Sequence, residues 1–190
     1  MTIGNGPGGI INYINSQKGV QLTTRFSVSV VRPQTEEISF MCDLAYLPAK
    51  KIKIYNDYLS GSASPLPIPY GLMYSSNLMQ FVVEETWASR KYFENWMSDI
   101  FGYAGGGRNE ADVLNNKVRF YDDVSGTITI QAISYFGNGN EPIINATYIM
   151  TGCVPIELVT TKFDSATFNT PLKFPVNILY RTYNLIIPTT

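Results

Sequence analysis

Acidic side chains in adjacent pairs are the first candidates for chemistry in this chain. Glu36–Glu37, Glu84–Glu85 and Asp122–Asp123 have the carboxylates that an acid–base dyad or a cation site needs. Adjacent residues on a strand point to opposite faces, so the two members of such a pair do not converge on one site. We therefore interpret the three pairs as solvated surface charge.

A glycine-rich segment near the start offers a second candidate. Residues 4–9, GNGPGG, satisfy the G-x-G-x-x-G pattern of dinucleotide-binding loops. That function also needs a preceding strand and a following helix, whose amides meet the pyrophosphate. Neither element is predicted here, and Pro7 removes one amide, so the segment does not predict nucleotide binding.

Nucleophilic catalysis has little support. The chain contains no histidine, so its serines lack the usual imidazole base, and no nucleophile-elbow pattern occurs. Cys42 and Cys153 lie in separate strand-like segments without metal-ligand spacing; they either pair or, as we favour, stay free in a reducing compartment. We predict no enzyme, no cofactor and no metal site, while a lysine- or carboxylate-based site stays open.

Alternating apolar and polar residues predict strands along most of the chain. The predicted strands cover residues 22–30, 37–42, 50–55, 78–83, 117–121, 126–134, 143–150 and 173–185. Between them, residues 57–71 contain three prolines and predict a long loop or the tip of an extended hairpin. Residues 1–20 form a polar, glycine-rich arm with too little apolar material for a core. We expect one domain at residues 21–190 after this arm.

One segment has helical periodicity instead. Residues 82–101 predict an amphipathic helix, capped by Thr86 or Ser89 and ended by Gly102. Its apolar stripe consists of Tyr92, Phe93, Trp96, Met97, Ile100 and Phe101. An aromatic row at this spacing usually packs in a core, whereas Trp87 lies before the stripe and is a candidate interface anchor. The pattern predicts a mainly β fold, a small antiparallel β-barrel or sandwich with one amphipathic α-helix that covers an open end or a face.

The composition favours self-association. Hydrophobic residues make up 45% and aromatics 13% of the 190 residues, whereas charged residues reach only 15%, against about 25% in typical soluble domains. Interfaces are enriched in aromatic residues and depleted of charge. A net charge of −1 lacks the basic footprint of a tight nucleic-acid binder. Without a long apolar run or a signal pattern, we expect a soluble chain made in the cytoplasm, without a membrane partner.

The order of these features resembles the tail tube proteins of contractile-tailed, T4-like bacteriophages. The segments that carry the resemblance are LTTRFSVSVV, CDLAYLPA, KYFENWMSDIFG, VRFYDDVSGTITIQAIS, YIMTGCVPIEL and FPVNILYRTYNLI. Together they cover roughly residues 20–186. The arm and the proline-rich excursion depart from the family pattern, so a main tube subunit, a baseplate-proximal initiator and a tube cap all stay open.

The resemblance implies a structural virion protein. Its hexameric rings are expected to stack into the inner tube of a contractile tail, assembled in the host cytoplasm. The implied partners are other copies of the chain, the sheath, a tape-measure protein in the lumen, baseplate and terminator proteins, and DNA that passes without sequence-specific recognition. We expect residues 1–20 and 57–71 to connect rings, so that deleting either segment leaves folded subunits that do not polymerise.

For the lumen we predict the polar side of the strands. The candidate residues are Lys51, Lys53, Arg119, Asp123, Thr127, Thr129 and Gln131. Mixed charge and short hydroxyls there avoid trapping a polyanion, because each neutralised phosphate strengthens binding through counterion release. The same residues on the outside, under a sheath, are the alternative. Two other functions stay open: a monomeric β-barrel that binds a ligand, and a hydrolase with an unrecognised site.

Overall fold

The computed structural model describes residues 25–33, 37–57, 66–101, 119–134, 143–163 and 170–188. Within these ranges the chain forms ten strands and two helices. The strands are β1 (Phe26–Val31), β2 (Ile38–Ser39), β3 (Cys42–Ala45), β4 (Lys50–Asp57), β5 (Leu66–Tyr74), β6 (Asn77–Val82), β7 (Gly126–Ser134), β8 (Ile143–Leu158), β9 (Lys173–Leu179) and β10 (Thr182–Ile186). The helices are α1 (Ala88–Ile100) and α2 (Tyr121–Val124). The predicted arm at residues 1–20, its glycine pattern and Gly102 lie outside the described residues.

Eight strands form one antiparallel sheet around the long strand β8. The order is β2-β1-β7-β8-β9-β6-β3, with β10 also paired to β8. The first part of β8 pairs with β7 and β10, and its last part pairs with β9. We call β2, β1, β7, β10 and the first part of β8 the first sheet half, and the remainder the second sheet half. Strands β4 and β5 pair only with each other, as a separate hairpin.

Both sheet halves contribute to one core. Val30 and Ile128 from the first half and Val176 and Ile178 from the second are fully buried in the same cluster. Helix α1 adds an aromatic face to it: Phe93 packs 5.0 Å from Phe81, measured between ring centroids. The predicted role of the helix stripe as core is confirmed for its buried members, Tyr92, Phe93 and Trp96.

The helix begins later than the sequence predicts. Residues up to Val82 belong to β6, and α1 starts after Trp87, which adopts the left-handed conformation with φ 57°. Neither predicted cap operates. Instead, the Glu84 carboxylate accepts hydrogen bonds from the backbone N–H of Ser89 at 3.1 Å and from its hydroxyl at 2.7 Å. A side chain before the helix therefore satisfies the first-turn donor that periodicity alone cannot locate.

Three strand predictions are corrected by the pairing. Residues 37–42 do not form one strand, because the chain leaves the first sheet half after Ser39 and enters the second at Cys42. Residues 119–121 are not a strand, since α2 begins at Tyr121. The last predicted strand is broken at residues 180–181, and after the break Thr182 is exposed while Tyr183 lies partly buried.

The break in the last strand coincides with a bend in β8. Gly152 has φ +65°, and the pairing of β7 with β8 shifts register there. A Cβ at this position would meet the Tyr121 hydroxyl at 2.7 Å and the Arg181 Cβ at 2.8 Å. The Tyr121 hydroxyl also donates a hydrogen bond to the Gly152 carbonyl. Only glycine fits this backbone without strain, so the bend that sets the two sheet halves around the core depends on it.

The sheet does not close into a barrel in the part of the chain that the structure describes. Strands β2 and β3 end the strand order, and no described strand joins them. The mainly β, antiparallel fold predicted from the sequence is confirmed, as an open, bent sheet wrapped over one helix.

Candidate self-assembly and channel surfaces

The outer face of the first sheet half is mainly polar, and none of its five strands carries a charged residue on it. Alternation puts Val28 and Ile128 into the core, so their neighbours point outward, and paired residues share a face. We call this set the polar face: Ser27, Ser29, Ser39, Thr127, Thr129, Gln131, Thr147, Thr151, Thr182 and Asn184. Val31, Ile149 and Ile186 are the apolar positions on the same face. The Ser27 hydroxyl donates to Gln131 Oε1 at 3.2 Å.

The polar face contains three of the seven residues predicted for the lumen. Thr127, Thr129 and Gln131 alternate along β7 and lie side by side there. The other four lie elsewhere. Lys51 and Lys53 are on β4, which does not pair with β7, while Arg119 and Asp123 flank or belong to α2. That all seven residues face a lumen stays a prediction. The sequence analysis missed the row of hydroxyls on β8 and β10, because the strand order is needed to place that row beside β7.

The β4–β5 hairpin carries its apolar side chains uncovered. Every residue from Lys50 to Asn56 is exposed, and Ile52 faces Leu72 across the pair with exposures of 56% and 57%. The opposite face carries Lys51 and Lys53. An isolated two-stranded hairpin is marginally stable in water, and uncovered apolar side chains are typical of interaction sites. The pairing of β4 with β5 shows a hairpin in this region, but the prediction that residues 57–71 are loop or tip is wrong for residues 66–71, which belong to β5. Residues 58–65 lie outside the described residues.

A cluster of tyrosines joins this hairpin to the sheet. Tyr74 lies 5.8 Å from Tyr180 and 6.0 Å from Tyr183, measured between ring centroids. The Lys50 ammonium lies 5.7 Å from the Tyr183 ring centroid. Tyr180 is almost fully buried, and burial raises the pKa of its phenol above the usual 10.0. The phenol therefore keeps its proton, and its capacity to donate, throughout the neutral range.

A second exposed aromatic pair lies at the start of α1. Trp87 is 43% exposed, and its ring centroid lies 6.2 Å from that of Phe163, which is 73% exposed. A non-glycine residue in the left-handed region costs about 1–3 kcal/mol, and such residues concentrate at functional sites. The prediction that Trp87 is an interface anchor is compatible with this exposure and stays a prediction.

The groups that favour catalysis are not assembled into a site among the described residues. Glu84 serves as a helix cap, and no cluster of three or more His, Cys, Asp or Glu residues that could hold a metal ion occurs there. Cys153 is fully buried and Cys42 partly buried, both as free thiols, which confirms that they do not pair. Burial raises the pKa of each thiol from 9.0 to about 12, so neither is a thiolate nucleophile at neutral pH. None of the described helices is long and apolar enough to span a membrane.

Comparison with known proteins gives one family and several similar folds. A family model described as phage tail tube protein matches residues 12–186. The "Cryo-EM structure of the anti-feeding prophage (AFP) baseplate, 6-fold symmetrised" contains a similar chain with TM-score 0.64 and 10% identity, over 88% of this chain and 95% of that one. The "Crystal structure of Hcp protein" has TM-score 0.52 and 6% identity, over 85% and 98%. At these identities the likeness concerns the fold alone. No curated protein matches the sequence significantly.

Proposed function

This chain belongs to the phage tail tube protein family, and we propose that its copies form hexameric rings that stack into the inner tube of a contractile tail. The uncovered β4–β5 hairpin carries the proposal. Its apolar face at Ile52, Ile54 and Leu72 has exposures of 56–57% and gains stability only against another surface. A second copy of the chain is the occupant that suits a protein with few charges and many aromatic residues.

The polar face is suited to line the channel. Hydroxyl and amide side chains offer DNA no fixed cations, so few counterions are released and the polyanion is not retained. Thr127, Thr129 and Gln131 form its middle. Lys51, Lys53, Arg119 and Asp123 remain lumen candidates at positions away from this face. In this arrangement DNA passes during ejection without sequence-specific contacts, and the chain has no catalytic role.

The further partners follow from the proposed tube. A sheath surrounds it, a tape-measure protein fills its lumen during assembly, and baseplate and terminator proteins contact its two ends. The mature location is the tail of the virion, and assembly takes place in the host cytoplasm. The exposed Trp87–Phe163 pair is a candidate contact for one of these proteins or for a neighbouring copy.

A baseplate-proximal tube initiator is the second candidate. One observation favours it: the AFP chain with TM-score 0.64 comes from a structure of a baseplate. A main tube subunit and an initiator differ in how far the purified chain polymerises alone. Long tubes favour the main subunit, whereas single rings or short stacks favour the initiator.

Electron microscopy of the purified protein tests the proposal. We expect the wild-type chain to form rings or tubes in negative stain, and the double variant Ile52→Ser, Leu72→Ser to remain folded without forming either. Ile156→Ser is the matched control, because Ile156 is 49% exposed on the second sheet half, away from the hairpin. Tubes from the double variant as abundant as those from the wild type would refute the role of the hairpin.

A further inference from the structure

The base of the β4–β5 hairpin is gathered around one buried hydroxyl. The Tyr180 side chain is only 3% exposed, and its hydroxyl donates to the Ala49 carbonyl at 2.8 Å. The same oxygen accepts a hydrogen bond from the Ala49 N–H at 3.0 Å. Ala49 immediately precedes β4, so both backbone groups of the residue that enters the hairpin are held by one side chain.

The other strand of the hairpin reaches the same tyrosine. The ring of Tyr74, the last residue of β5, packs on the Tyr180 ring. Close by, Asn77 Nδ2 donates to the Tyr46 carbonyl at 2.7 Å, which ties the incoming segment to β6. Tyr180 therefore contacts the first and the last residues of the hairpin base at once.

Tyr180 also lies where the sheet changes direction. It directly follows β9 and precedes Arg181, whose N–H donates to the Thr151 carbonyl at 3.0 Å beside the bend at Gly152. The hairpin itself is exposed along both strands. Its direction relative to the sheet thus depends on contacts at its base, and the Tyr180 hydroxyl makes two hydrogen bonds there.

We propose that Tyr180 is a positioning residue that fixes the direction of the β4–β5 hairpin so that it can engage a neighbouring copy. This role rests on the proposed self-assembly, since a hairpin that swings freely must be ordered again at each contact, which lowers the affinity between copies. A phenol suits the position because a neutral hydroxyl donates and accepts simultaneously.

Tyr180→Phe tests the proposal, because it keeps the buried ring and removes only the hydroxyl. Tyr183→Phe is the matched control, since its ring belongs to the same cluster. We expect Ala49 amide exchange, measured at low protein concentration, to become about tenfold faster in Tyr180→Phe, because its hydrogen bond is lost. Trypsin should cleave at Lys51 and Lys53 faster, and the protein concentration needed for assembly should rise several-fold, while Tyr183→Phe matches the wild type in all three.

Several outcomes would overturn the assignment. Unchanged Ala49 exchange and unchanged cleavage in Tyr180→Phe would show that the hydroxyl does not hold the hairpin. Faster exchange with wild-type assembly would show that the direction of the hairpin is irrelevant to contact between copies. Equal effects in Tyr183→Phe would reduce Tyr180 to general packing. A wild-type chain that never assembles would count against the proposed tube instead. Ala49 amide exchange and trypsin cleavage would then still show whether the Tyr180 hydroxyl holds the hairpin.

Discussion

The bent sheet and the β4–β5 hairpin use the same sequence pattern with opposite results. In β7 the alternation puts Ile128 and Ile130 into the core, at 0% and 2% exposure. In β4 the same alternation leaves Ile52 and Ile54 each 56% exposed. Period-two patterning therefore identifies a strand with a face to bury, but it does not say whether the same chain covers that face. The proposed function assigns the cover of this hairpin face to another copy of the chain.

The largest expected effect is on the stability of the bent sheet and its core. Phe93→Ala removes a fully buried ring that packs on Phe81 and Phe174. We expect the free energy of unfolding to fall by about 3–5 kcal/mol, the usual cost of a phenylalanine deleted from a core. Urea unfolding followed by circular dichroism measures it. A loss below ~1 kcal/mol would mean that α1 does not complete the core.

The bend at Gly152 should come next. Gly152→Ala places a Cβ at φ +65° and within 2.8 Å of Arg181 Cβ. We expect a loss of about 1–3 kcal/mol, because the backbone or its neighbours must shift. Gly71→Ala in the hairpin is the control, since a Cβ there meets only Lys53 Cδ at 3.9 Å. Equal losses at the two positions in thermal unfolding would contradict the assigned role of the bend.

Alkaline pH should lower the free energy of unfolding through the buried thiol of Cys153. The unfolded Cys153 thiol ionises near 9.0, whereas burial raises its pKa in the fold to about 12. Above pH 9 the unfolded state loses this proton and the folded state keeps it, so stability falls as pH rises. We expect a loss of roughly 1 kcal/mol at pH 10 from this group. Cys153→Ala should show a shallower decline between pH 8 and 10, and an identical slope would argue against the assignment.

The smallest effect on stability is expected in the hairpin. Ile52→Ser removes an apolar side chain that is more than half exposed, so the free energy of unfolding should change by less than ~0.5 kcal/mol. Assembly should nevertheless weaken, because the same side chain is buried in the proposed contact. Unfolding curves and sedimentation of the same samples measure the two effects. A large loss of subunit stability would mean that the Ile52 side chain packs within its own subunit.

The sequence predicts most strands of the bent sheet but little of their arrangement. The strand at residues 126–134 is found with its predicted bounds, because Thr127 to Gln131 alternate without interruption. The predicted helix start at residue 82 is wrong, since Glu84 lies before the helix and caps its first turn through the Ser89 N–H. The divided run at residues 37–42 and the break at Tyr180 depend on which strands pair, which is set by long-range contacts that a local pattern does not contain.

The candidate surfaces were predicted to different extents. The alternation of β7 was enough to place Thr127, Thr129 and Gln131 on one face. The row of hydroxyls beside them can be placed only when the strand order β1-β7-β8-β10 is known. The hydrogen bond between Tyr180 and Ala49 joins residues 131 positions apart in sequence. Neither could be inferred from spacing along the chain.

The mass of the purified wild-type protein in solution tests the account most directly. Assembly of copies through the hairpin predicts ring-sized or larger species, built from multiples of the 21.2 kDa subunit. These species should dissociate when Ile52 and Leu72 are replaced by serine. A single sharp species at the mass of one subunit, unchanged at high protein concentration, would contradict it.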